Sequence, residues 1–339
     1  MCEFSQNVSR LLRFGTAWVM ALLLCAGTGL AVSDSGRTDT SRMLIPVGHT
    51  VGVKLFARGV LVVRPPEGGT PANACGLQTG DVILQCAETA VTSTEQFQSL
   101  LQKSGGAATE LEVRRDGGSV TLCVEPEANE QGVYCIGAWI RDSMAGIGTM
   151  TYYDPQSETF GALGHGITDV DTALLMPFSN GSVLPSTVKA VKRGEAGSAG
   201  ELKGAFDLTR DLGALYANTT AGVFGTMEET CLPVQSSAVP TGAPTAGKAT
   251  ILSNVRGDTV EAFDVEILKV ISHPADEREL VLSVTDPDLI AATGGIVQGM
   301  SGSPILQDGC IVGAVTHVLL NDPCKGYGIS IETMLTASK

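Results

Sequence analysis

The sequence predicts a mainly β protein of two domains behind an N-terminal hydrophobic helix, and three observations carry that expectation. Its 339 residues combine 43% hydrophobic content with 41 glycines and only 5% aromatics, the profile of globular domains rich in turns. Between residues 169 and 269, short β-branched runs recur between turn residues, among them Ser-Thr-Val-Lys-Ala-Val at 186–191 and Lys-Ala-Thr-Ile-Leu at 248–252. Such spacing suits a β-barrel. Finally, Ile-Leu-Gln at 305–307, the Asp308-Gly309 turn and the apolar run 310–317 read as a hairpin.

In chain order, Arg10 and Arg13 precede an apolar run from 14 to 32, and the chain turns polar at Ser33. Residues 1–35 therefore read as a signal peptide or an uncleaved membrane anchor; the length of the run lies between the two. The arginines would keep the N-terminal end cytoplasmic and place the rest of the chain across the membrane. A bulky leucine before Cys25 argues against a lipoprotein site. A net charge of −14 disfavours nucleic acid and anionic membrane surfaces as partners. The nine cysteines show no Cys-x-x-Cys spacing, so no zinc site is expected, and most read as small buried apolar residues.

Residues 45–126 form a unit of their own. Val-Gly-Val-Lys-Leu at 51–55 and Gly-Val-Leu-Val-Val at 59–63 read as strands, Thr70 opens a helical turn, and Gln-Thr-Gly-Asp-Val-Ile-Leu at 78–84 is a turn and strand. Asp81 reads there as a turn residue. Residues 94–103 place Phe97, Leu100 and Leu101 on one helical face, and 111–115 pairs with 120–124 across Asp-Gly-Gly. The run Pro-Ala-Asn-Ala-Cys-Gly-Leu-Gln-Thr-Gly-Asp-Val-Ile at 71–83 resembles the PDZ domains of bacterial proteases. That resemblance implies capture of an extended peptide or C-terminus as an added strand, with Val51, Gly52 and Val53 supplying the carboxylate-holding segment. A spacer role is the alternative.

Beyond a polar link at 127–132, Gly-Met-Ser-Gly-Ser-Pro at 299–304 ahead of the hairpin resembles the serine loop of chymotrypsin-like peptidases, with Ser303 in place of a glycine. Gly-x-Ser-x-Gly hydrolases would need glycine at 303 and a following helix. Flexible glycines around Ser301 would let the N–H groups of Gly299 and Ser301 converge as an oxyanion hole. His165, between glycines at a strand end, is the natural general base, with His317 as the alternative. His49 and His273 are expected to face solvent.

Longer strings extend the likeness: Ile-Gly-Ala-Trp-Ile-Arg-Asp-Ser at 136–143, Phe-Gly-Ala-Leu-Gly-His-Gly-Ile-Thr-Asp at 160–169, Gly-Gly-Ile-Val-Gln-Gly-Met-Ser-Gly-Ser-Pro at 294–304 and Gly-Ala-Val-Thr-His-Val at 313–318. They resemble the stage IV sporulation protein B (SpoIVB) peptidase family. The resemblance implies a PDZ domain at 45–126 and a chymotrypsin-like double β-barrel at 133–339. It also implies a secreted or membrane-tethered serine endopeptidase between forespore and mother-cell membranes. Such an enzyme cleaves itself and a regulatory subunit of an intramembrane protease complex, releasing a late sigma factor. Ser301 and His165 take the family's catalytic positions, and its aspartate falls on Asp286.

A carboxylate in this role must touch the second ring nitrogen of the histidine. In a chymotrypsin arrangement it comes from much further along the chain than Asp286, so Asp169, Asp171, Asp207 and Asp211 stay open. Acyl transfer by such a site requires neither metal nor organic cofactor. A metalloprotease lacks a His-Glu-x-x-His, and a catalytically inactive PDZ scaffold is the contrasting reading.

Overall fold

The computed structural model describes residues 42–64, 68–274 and 276–339. The expected N-terminal signal or anchor lies outside them; among the described residues no helix is long and apolar enough to cross a membrane. In chain order, β1 is Thr50–Arg64, helix α1 Pro71–Ala74, β2 Val82–Cys86, helix α2 Thr94–Ser104, β3 Thr109–Arg115 and β4 Gly118–Val124. Next come β5 Trp139–Asp154, β6 Thr159–Ala162, β7 Phe178–Lys192, β8 Gly213–Thr219 and β9 Gly222–Thr226. The last third holds β10 Gly247–Arg256, β11 Thr259–Val270, β12 Leu280–Val284, helix α3 Pro287–Thr293, β13 Pro304–Gln307, β14 Cys310–Leu319, β15 Asp322–Ser330 and helix α4 Ile331–Ala337.

Two barrels follow from the pairings. The first is a ring of six antiparallel strands in the order β1, β5, β6, β9, β8 and β7, with β7 returning to β1. The second closes as β10, β11, β12, β15, β14 and β13. Alternation fills each: along β11, Phe263, Val265 and Ile267 point inward between exposed neighbours and meet Ile251, Leu282 and Ile305. The first barrel is packed by Val51, Val53, Met150, Phe160, Val183 and Val223.

The PDZ unit is an insertion in the first barrel. Its sheet runs β4, β3, β2 and then the far half of β1, with Phe97 and Leu101 of α2 packed over Ile83, Leu111 and Val113. Helix α2 is capped at both ends, by Ser93 accepting from Gln96 N and by Gly105 in the left-handed conformation. Asp81 is more than a turn residue: it is buried and held by a bidentate pair with Arg115, both contacts at 2.7 Å.

Several expectations are corrected. Val51, Gly52 and Val53 lie in the barrel half of β1, where Gly52 pairs with Ile147 on one side and Leu184 on the other. A strand with both edges occupied cannot accept a peptide, so these residues are not the docking segment. The expected boundary between 45–126 and 133–339 does not match the pairing either, because β1 is shared by both units and β5 runs from one into the other. His49 is buried, its Nδ1 donating to Thr50 O at 2.7 Å, instead of facing solvent. Of the seven described cysteines only Cys86 is buried, and Cys123 is exposed.

Candidate active site

The serine and the histidine arrive from opposite barrels. His165 follows β6 of the first barrel, and Ser301 precedes β13 of the second. Both line one cleft of about 680 Å3, together with Met144, Ile147, Gln298 and His317. The serine loop is fixed by Gly302, at φ +98, where a Cβ would stand 2.0 Å from Thr149 O. No other residue fits that approach. Thr149 also holds the loop directly: its N–H donates to Ser301 O at 2.9 Å and its Oγ1 to Gly299 O at 2.7 Å. Ser303 replaces the usual glycine at no cost to the loop, since its buried hydroxyl meets Ser253 Oγ at 3.2 Å.

Neither Gly299 N–H nor Ser301 N–H donates to any described protein acceptor, whereas Met300, Gly302 and Ser303 all do. Two amide donors flanking a nucleophile and left free by the fold are the requirement for an oxyanion hole. The Ser301 hydroxyl donates to Thr316 O at 2.6 Å, so its hydrogen bond goes to β14 and not to His165.

His165 Nδ1 lies 2.9 Å from Gly166 O. A carbonyl only accepts, so Nδ1 carries the proton and Nε2 is left as the base. Burial pushes the His165 pKa below its ordinary value of 6.5, opposed by the bond to Gly166. His317 stands against it with ring centroids 5.0 Å apart. Desolvation first, then the like charge of His165, push the His317 pKa down to about 4.

None of the candidate aspartates is bound to His165. Asp286 is the N-cap of α3: it accepts from Asp288 N and Leu289 N, and from Asp264 N of β11. Asp169 is buried in an ion pair with Arg141, which also reaches Asp171 at 2.9 Å. Asp207 accepts from Thr209, and Asp211 is exposed. Among the described residues no carboxylate bonds the ring. What the sequence reading missed is the loop between β11 and β12, whose Asp276 and Glu277 line a cavity of about 350 Å3 with His165, His317 and Thr316. Thr316 Oγ1, buried in the same place, has no hydrogen-bond partner. Only the return of β14 toward Ser301, readable as a hairpin, hinted at His317.

Paired β-barrels with a histidine from one, a serine from the other and two free amides beside the serine define the class of double-barrel serine peptidases, here with a PDZ insertion. The SpoIVB peptidase S55 family model matches residues 132–335, and a PDZ domain model matches 62–115. The chain belongs to the SpoIVB peptidase S55 family. It is also similar to the serine protease Do-like HtrA of Lactococcus lactis, 34% identical over 95 residues, which are 28% of this chain and 21% of that protein. The chain thus spans about a fifth of the curated relative it matches. Among solved structures, the PDZ domain of the SdrC-like protein from Listeria monocytogenes is 19% identical, covering 24% of this chain and 87% of its own, with a TM-score of 0.23. The Rv3671c protease of M. tuberculosis in its active form is 13% identical, covering 57% of this chain and 73% of its own, with a TM-score of 0.33.

Proposed function

We propose that this chain is a serine endopeptidase that cleaves itself and a membrane-associated regulatory subunit of an intramembrane protease complex during endospore formation, acting between forespore and mother-cell membranes and so activating late sigma-factor processing. The family supports the signalling role. The single observation that carries the chemistry is the pair of free amides of Gly299 and Ser301 beside a cleft-facing serine and histidine.

In the reaction, His165 Nε2 takes the Ser301 proton as Oγ bonds to the scissile carbonyl carbon. The two amides hold the resulting oxyanion, and His165 passes its proton to the departing amine. Water, deprotonated in turn by His165, releases the acyl group and restores the serine. Gly166 O keeps the ring in the required tautomer, a task that a carboxylate performs in the better-known triads. A polypeptide substrate reaches the site with the help of the PDZ unit, which takes up an extended peptide or C-terminus.

One observation favours the contrasting scaffold reading: Ser301 Oγ is bonded to Thr316 O. Full chain and Ser301→Ala, followed over time on a gel with a fluorophosphonate probe, separate the two. Self-cleavage and labelling in wild type alone are expected; a folded wild type that does neither leaves the scaffold, and labelling that persists in Ser301→Ala removes Ser301 as nucleophile.

A further inference from the structure

Apart from its two histidines, Glu201 is the one ionisable side chain among the described residues that line the catalytic cleft. Two segments wall the part of the cleft that lies beyond Ser301 from the histidine loop. Ile296, Val297 and Gln298 lead into the Gly299 amide, and Thr316, His317 and Val318 run past the nucleophile, whose hydroxyl meets Thr316 O at 2.6 Å. β13 pairs with β14 up to Pro304 and Ala314, and the serine loop then takes Val315, whose N–H donates to Ser303 O and whose carbonyl accepts from Gly302 N–H. Past Val315, no described strand pairs with this edge of β14.

An extended substrate added to that edge places its scissile carbonyl between Ser301 and the two free amides, with His165 toward the leaving group. The side chain on the acyl side of the bond then falls between the two walls. Their floor is apolar and closed. Ile296 and Val297 belong to the core of the second barrel, and Val318 packs against it. At Gly326 of β15 even a Cβ would stand 2.6 Å from Ile296 Cδ1 and 2.5 Å from His317 O. A charged side chain pushed there loses its water without gaining a partner, and a long one meets Ile296.

Glu201 reaches the cleft from the strand Glu201–Phe206, which pairs with β7. That strand is bridged to the serine loop, with Gln298 N–H donating to Gly200 O at 2.9 Å and Leu202 N–H to Gln298 O at 2.8 Å. The Glu201 side chain makes no hydrogen bond or ion pair with a described residue, not even with Lys192, its neighbour across the strand pair.

We propose that Ile296 and Glu201 set the specificity of this peptidase, which cuts after a small aliphatic residue, valine or alanine, with a lysine or arginine beside the scissile bond. The proposal deepens the peptidase reading and rests on it. Ile296 limits the depth of the acyl-side pocket, and Glu201 pairs with the basic side chain at the rim. One methylene too many against an apolar floor is worth about ten- to two-hundredfold in kcat/KM. An exposed ion pair is worth about two- to fivefold.

Full-chain wild type in detergent is incubated with peptides from a cell extract digested at glutamate, and the cut sites are read by mass spectrometry. Valine and alanine are expected before the cut, with lysine and arginine enriched beside it. Glu201→Gln loses the basic enrichment and keeps valine and alanine, and added salt weakens the enrichment in wild type. On matched peptides that differ only as valine against leucine, Ile296→Val raises the leucine-to-valine ratio of kcat/KM about tenfold. A general loss of stability would leave that ratio unchanged. A wild type that cuts no peptide, or no more than Ser301→Ala does, overturns the peptidase reading and the proposal with it. The remaining outcomes leave that reading standing. Cutting after charged, aromatic or leucine residues, or an unchanged ratio in Ile296→Val, overturns the pocket; a basic enrichment that is absent, or that survives in Glu201→Gln, overturns the role of Glu201.

Discussion

The glycine-flanked runs that bring His165 and Ser301 into one cleft could be read from the sequence, because the local conformation of each serves one side chain. The partner of the histidine could not, since it depends on which atoms the folded loops bring to the ring, and a backbone carbonyl leaves no mark in a sequence. Its consequence is a pH profile. A half-buried histidine whose pKa lies below the ordinary 6.5 is mostly neutral at pH 6.5, and kcat/KM is lost only as pH falls through that lowered value. The acid limb is therefore expected below pH 6.5, and a limb above 6.5 in kcat/KM against pH would contradict the desolvation of the ring. Stability moves in the same sense. The unfolded chain protonates His317 at its ordinary value while the native one resists until about 4, so native stability falls as pH drops through that window and the loss levels off below it.

At the scale of elements, the short helix α3 shows how a residue can match a family position and yet have a different task in the fold. Asp286 spends its oxygens on three backbone N–H groups. Serine is an equally good N-cap, so Asp286→Ser is expected to keep stability within about 1 kcal/mol and activity within a few-fold. A triad aspartate would lose about ten-thousand-fold in kcat on losing its carboxylate. Denaturation midpoint and kcat measured on the same preparation decide the point. The misplacement of Val51 has a related cause. Val-Gly-Val-Lys-Leu alternates correctly for a strand in either unit, and what assigns it to the barrel is pairing with Gly146–Gly148 and 183–185, partners distant in sequence.

For the whole molecule, the two barrels and the PDZ unit were legible as kinds, from strand spacing and the run at 71–83, but their joint was not. Sequence order suggests beads on a string; the pairing shows an insertion between two strands of one barrel. Arg64 and Trp139 are register partners, so their Cα atoms lie about 5 Å apart. Removing 65–138 and joining the strands through Asn-Gly is expected to leave a cooperatively melting double barrel. Deleting 45–126 instead takes away a barrel strand and is expected to abolish the thermal transition by circular dichroism.

The same joint constrains the order in which the chain assembles. Before anything has folded, bringing Arg64 to Trp139 means closing a long loop, at an entropic cost of about 4 kcal/mol. Once the insert has formed around Phe97 and Leu101, its two ends already stand a strand's width apart, and the longest loop within the first barrel no longer has to be closed by chance. The strand that leads through β6 to the histidine loop pairs with the one that enters the insert, so a chain whose insert is slow to fold is expected to be slow to bring His165 and Ser301 into one cleft.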